Sequence, residues 1–94
     1  MREVPDQIIS LVKDHQVLFS AKARRQLDTG IFDTDDLMHS VLYGEVVKKE
    51  RDEEKVSQYK YIIIGPSRSG MTIYSCGKII NLLKKAYFII TFHP

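Results

Sequence analysis

The side chains of this 94-residue chain best suited to chemistry, His93, Lys60, Tyr74 and Arg68, all lie in its second half. His93 is the only histidine in the predicted sheet, and an ordinary imidazole pKa near ~6.5 suits proton transfer. Arg68 stands among Ser67, Ser69 and Gly70, a loop setting fit for phosphate contact, though equally for a solvated turn. Lys60 opens an apolar run and reads as an electrostatic clamp or as a strand-end lysine in solvent. Tyr74 alternates with Met71 and Ile73. If those two face the helices, Tyr74 lies on the open face, where it can stack on a base; with the opposite parity it is core. Lys78 follows Gly77, whose bend can aim it at the same face. Lys84 and Lys85, at a hairpin tip, fit electrostatic steering. Lys22, Arg24 and Arg25 form a second basic cluster on a helix, suited to phosphate contacts or to an acidic partner.

Other chemistries find no pattern. Gly65 and Gly70 have P-loop spacing, but Met71-Thr72 stands where Lys-Ser/Thr is required, and no helix follows. His15, His39 and Cys76 lack metal-ligand spacing. Cys76, the single cysteine, has no base beside it and reads as a buried strand residue. No Gly-x-Ser-x-Gly elbow occurs. Asp33, Asp35 and Asp36 read as helix-start chemistry rather than a cation site. No metal and no cofactor are expected.

The elements that must position these residues follow from periodicity. Pro5 fits the first turn of a helix over about 5–14, with Ile8, Leu11 and Val12 on one face. Val17–Phe19 reads as an apolar link. Ser20 is the expected N-cap of a second helix that Gly30 ends, with Ala23 and Leu27 inward and Lys22, Arg25 and Asp28 outward. Asp33 caps a third, with Asp36 at its N3 position, a buried stripe of Leu37, Met38, Val41 and Leu42, and Gly44 at its end. Val46-Val47 opens a strand leading into KKERDEEK, expected to be an exposed edge or loop. Tyr59–Ile64 reads as a central strand, PSRSG as a loop, Met71–Cys76 as a strand with a bulge or bend at Gly77, and Ala86–Phe92 as the last strand. The expected fold is α+β: two or three N-terminal helices on a three- to four-stranded antiparallel sheet, one domain over 1–94.

Composition adds a charge asymmetry. Residues 1–47 carry five Lys/Arg against eight Asp/Glu, and residues 48–94 nine against four; no acidic residue follows Glu54. Such a half fits a polyanion or an acidic partner. No apolar stretch approaches the ~20 residues of a membrane span, and MREVPDQ lacks the apolar core of a signal peptide, so no membrane role and a cytoplasmic setting are expected.

Phe19–Ile31 reads FSAKARRQLDTGI, and the chain closes on ITFHP. These segments resemble a bacterial family of domains of unknown function with an FSxHAxxRxxERGI opening, a glycine after the third helix and a closing ITxYxP strand. Phe19, Ser20, Ala23, Gly30, Ile31, Ile90, Thr91 and Pro94 match; Lys22 stands for the family's histidine, Gln26 for its first arginine, and Asp28-Thr29 for its Glu-Arg. The resemblance implies a fold like the RelE/ParE toxins and MqsR. It implies the toxin component of a type II toxin–antitoxin system, an endoribonuclease cutting mRNA, free or on the ribosome, and neutralised by a zinc-finger antitoxin of the YgiT/MqsA type. RNA cleavage without metal needs a base for the ribose 2′-OH, cations for the phosphorane charge and an acid for the leaving 5′-oxygen. The resemblance gives these roles to the sheet face, with Lys60, Tyr74 and His93 as the catalytic candidates and Arg68 and Lys78 binding the nucleic acid; the charge reading adds Lys84, Lys85, Lys22 and Arg25 to the binding set. The alternatives are a non-catalytic basic module for nucleic acid or an acidic protein, and a gyrase poison in the manner of ParE.

Overall fold

A computed structural model describes residues 2–51 and 59–94. Among them the order is β1 (Arg2–Glu3), α1 (Asp6–Lys13), β2 (Val17–Phe19), α2 (Ala21–Asp28), α3 (Thr34–Leu42), β3 (Glu45–Arg51), β4 (Tyr59–Pro66), β5 (Thr72–Asn81) and β6 (Lys85–His93). The strands form one sheet in the order β1-β3-β4-β5-β6-β2. This corrects the expected three- to four-stranded antiparallel, RelE-like layout: the described sheet has six strands and is mixed, because β2 runs parallel to β6. The two unforeseen strands are two and three residues long. Neither shows a period of its own. Each exists because a distant strand offers it main-chain partners: Arg2 pairs with Val46, and Val17–Phe19 with Tyr87–Ile89. The expected apolar link at Val17–Phe19 is thus an edge strand.

The helices form as their local chemistry requires. Pro5 is the N-cap of α1 rather than a residue of its first turn, and its carbonyl accepts from Ile8 and Ile9 at 3.0 and 3.1 Å. The helix closes in a Schellman motif. His15 N–H donates to Val12 and Gln16 N–H to Leu11, with His15 in the left-handed region at φ 58°. Ser20 Oγ caps α2 by accepting from Ala23 N–H at 2.9 Å, and Gly30 (φ 79°) follows its end, as expected. Asp33 and Asp36 build the capping box of α3 reciprocally at 2.8 and 3.2 Å.

The sheet alternates cleanly. Val46, Ile63, Ile73, Tyr87, Ile89 and Phe92 are buried under the helices with Ile8, Val12, Ala23, Leu37 and Val41. Each such aliphatic side chain contributes about 1.5–3 kcal/mol on burial. Among the described residues no helix covers the opposite face. α3 lies so close to β4 that a Cβ on Gly65 would collide with the Ser40 carbonyl oxygen and with the Gly44 Cα. In the middle of the sheet the β5–β6 register shifts between Cys76, opposite Thr91, and Gly77, opposite Ile89, so the extra residue is Ile90 of β6 and not Gly77, whose own strand pairs regularly with β4 and runs on to Asn81. The fully buried ring of Tyr87 occupies the space above Gly77, 2.5 Å from where a Cβ would stand. The charged run reads as β3 through Arg51, and its remainder lies outside the described residues.

Two stability outcomes follow. Gly77→Ala forces its methyl into the Tyr87 ring and should lower unfolding free energy by about 1–3 kcal/mol in urea titration. His15→Gly relieves the left-handed backbone of a residue bearing a Cβ and should raise it by about 0.5–1 kcal/mol.

Candidate functional site

β5 and β6 bring Tyr74 and His93 together. The two residues are register partners on the open face, and their rings stack with centroids 5.2 Å apart and 7° between planes. The parity on which Tyr74 depended is the one that exposes it: Ile73 and Ser75 are buried, whereas Tyr74 is 38 % exposed. His93 Nδ1 lies 3.0 Å from the Pro94 carbonyl oxygen. With a proton on Nδ1 donated to that oxygen, Nε2 keeps its lone pair and can act as a base.

Two shallow depressions meet at His93. One, of about 210 Å³, is lined by Ile62, Tyr74, Ser75, Cys76, Thr91 and His93 on the open face. The other, of about 200 Å³, runs from His93 and Phe92 towards Gln26 on α2 and Thr29 and Ile31 just past its end. Gln26 joins the two elements. Its side-chain amide nitrogen donates to Thr91 Oγ1 at 3.0 Å, and its carbonyl oxygen accepts from Phe92 N–H at 3.0 Å. Ser20 Oγ donates to the Ile90 carbonyl beside them. Gln26 thereby fixes the backbone one residue before His93. Sequence reasoning missed it, the only signal being a polar residue one position before the inward Leu27.

The cations form a band rather than a cluster. Lys60 pairs with Lys78 across β4–β5, whereas Tyr74 pairs with Ile64. Four residues of strand, about 13 Å at ~3.3 Å each, separate Lys60 from the Tyr74 rung. Lys60 therefore shares the face of Tyr74 and His93 without converging on them. Between them sits Cys76, whose thiol pKa is pushed up by burial and, less, by Glu50, against the opposing pull of Lys60 and Lys78. It stays protonated at neutral pH and is no ready nucleophile. The face is also less purely basic than the charge count promised. Glu3, Glu45 and Glu50 belong to β1 and β3, Lys48 pairs with Glu50 at 3.0 Å, and the strands free of Asp and Glu are β2 and β4–β6.

Arg68 is held elsewhere. Its Nη2 lies 2.6 Å from Asp33 Oδ2, its Nε 3.2 Å from Asp36 Oδ1 and its Nη1 3.9 Å from Asp35 Oδ2, while its backbone N–H also donates to Asp36 at 3.1 Å. The three aspartates that start α3 thus also hold the β4–β5 loop, which His39 Nδ1 secures by donating to the Pro66 carbonyl at 2.9 Å. A phosphate reaching this guanidinium has three carboxylates to displace. The Asp33 backbone N–H, and then Arg68, hold the Asp36 carboxyl below its ordinary value of 3.8. Lys84 stands in the β5–β6 turn and Lys85 at the start of β6, at the end of the sheet away from His93. Lys22 and Arg25 are exposed on α2 in the i, i+3 relation, on the flank that leads to Thr29. Among the described residues no group of three or more His, Cys, Asp or Glu could hold a metal ion. No described helix is long and apolar enough to cross a membrane.

Comparison with protein-family models, with curated proteins and with solved structures finds no match to this chain.

A carboxylate whose folded pKa lies below its unfolded one stabilises the fold above the unfolded value and loses that stabilisation as pH falls. The Tm difference between the wild-type protein and Arg68→Ala should therefore be constant near neutrality and shrink as pH drops through about 4. Added salt should also reduce it. Thermal denaturation across pH checks both.

Proposed function

We propose that this protein binds single-stranded RNA across the open face of β4–β6 and cleaves it at His93 without a metal ion, as the toxin of a toxin–antitoxin pair in the cytoplasm. The observation that carries the cleavage reading is the stacked Tyr74–His93 pair, with an open depression on either side of the imidazole. The toxin role, and an antitoxin of the YgiT/MqsA zinc-finger type as its partner, rest on the resemblance carried by Phe19–Ile31 and Ile90–Pro94.

The chemistry assigns one step to each group. A nucleotide lies on each side of His93, with the scissile phosphate between them. His93 Nε2 takes the proton of the ribose 2′-OH as that oxygen attacks phosphorus. The P–O2′ bond forms, the P–O5′ bond breaks, and the Tyr74 hydroxyl protonates the departing 5′-oxygen. The products are a 2′,3′-cyclic phosphate and a free 5′-OH. Exchange with water returns the proton from His93 and restores the phenol. Lys60 and Lys78 face the phosphates further along the strand, and Lys22 and Arg25 those that run over α2, where they supply salt-dependent binding.

The spacing between Lys60 and the Tyr74–His93 pair favours one second reading: a module that binds RNA without cutting it. The discriminating experiment incubates the purified chain with fluorescent single-stranded RNA, with EDTA throughout. Cleavage to cyclic-phosphate ends is expected. His93→Ala should reduce it by about 10²–10⁴-fold, Tyr74→Phe should reduce it without loss of binding, and Lys60→Ala should weaken binding with a smaller effect on the bound rate. Binding without cleavage of free or translating mRNA leaves the binding module. Absence of both removes the RNA reading altogether.

A further inference from the structure

At the end of the sheet away from His93, the β5–β6 turn overhangs the entry to β2. His15, Val17, Leu18, Leu82, Leu83 and Lys84 line a groove there of about 430 Å³. Its apolar side chains face water: Leu83 is 103 % exposed, Leu82 70 % and Leu18 41 %. Consecutive leucines at a hairpin tip are unusual, because such turns ordinarily take Gly, Asn, Asp or Pro, and an apolar patch in solvent marks a contact surface.

The groove runs beside an unpaired strand edge. β2 ends the sheet. Tyr87 N–H donates to the Gln16 carbonyl at 2.9 Å and Ser20 N–H to the Ile89 carbonyl at 3.0 Å, so Gln16, Leu18 and Ser20 bond towards β6. By the alternation of a parallel ladder, the main-chain groups of Val17 and Phe19 point outward, where they can template another strand.

Charge selects the occupant. Lys84 lines the groove, Lys85 follows it, and Lys13 precedes its His15 wall with Asp14 between them; among the described residues no Asp or Glu lines the groove. A second copy pairing β2 against β2 brings two like-charged grooves into one interface, which is unfavourable. An acidic chain meets no such repulsion.

We propose that the β2 edge docks an extended, acidic segment of a partner protein. The segment adds as a further strand beside β2, seats alternate apolar side chains against Leu18, Leu82 and Leu83, and sets carboxylates near Lys84 and Lys85. The surface lies at the opposite end of β6 from His93 and stands whether or not the protein cleaves RNA.

The test selects a random displayed peptide library on the immobilised 94-residue chain. Enriched peptides should alternate apolar residues with Asp or Glu, and on binding should slow amide hydrogen exchange at Val17 and Phe19. The double variant Leu83→Glu, Lys84→Glu should weaken them at least about tenfold, or ~1.4 kcal/mol, while His93→Ala leaves them unchanged. Lys84→Glu with Lys85→Glu should turn the selection towards Lys- and Arg-bearing peptides. All three altered side chains of the turn and β6 start are exposed, so these variants should keep the wild-type circular dichroism spectrum. Peptides without acidic bias, no enrichment, or binding insensitive to the turn variants overturn the proposal. So does a dimer in sedimentation that Leu83→Glu splits, since the occupant is then a second copy.

Discussion

The Tyr87 ring lies on the bare backbone of Gly77, and most of the sheet is arranged around that contact. Tyr87 is fully buried in the first half of β6, and burial pushes its phenol pKa up. A ring of that size fits only because β5 offers no side chain beneath it. The register shift at Cys76/Gly77 occurs at the same point, and it lets Ile89 and Phe92 both face the core although three residues apart. The ring thus holds β6 where it can serve two neighbours at once, antiparallel β5 on one side and parallel β2 on the other. Packing at this density tolerates little added volume.

A second constraint acts on the opposite flank. α3 and β4 meet backbone to backbone at Ser40, Gly44 and Gly65, so their ends stay in fixed relation. That relation brings the aspartates at the start of α3 under the β4–β5 loop, where Arg68 closes over them. The loop arginine is used to hold the structure. Lys60 and Lys78 remain on the open face and Lys22 and Arg25 on the exposed flank of α2, and the polar link between α2 and β6 is Gln26 reaching Thr91 and Phe92.

β6 connects the two proposed surfaces. Its last residue, His93, stacks on Tyr74 beside α2; its first, Lys85, lies next to the leucine-bearing turn and the free edge of β2. A segment added at β2 extends the same hydrogen-bonded sheet that carries His93. α1 crosses beneath, linking β1 at one edge to β2 at the other.

By itself the sequence determined the helices, because their signals are local. Ser20 and the Asp33/Asp36 box mark the starts of two of them, Gly30 a stop, and Leu37 with Val41 the buried stripe of the third. It determined β4, β5 and β6 through long β-branched and aromatic runs, but it left Tyr74 between two faces, open only if Ile73 points at the helices. The left-handed end of α1 was hidden because His15 stands where glycine is usual. Tertiary structure alone decided the edge strands, since two or three residues carry no period and acquire partners only across the sheet. It alone decided that Arg68 is bound by aspartates more than thirty positions away, that Lys60 stands four residues of strand from Tyr74, and that Gln26 braces the strand bearing His93. Distances between such residues depend on strand register, and register is set by how side chains such as Tyr87 fill the core rather than by any local pattern.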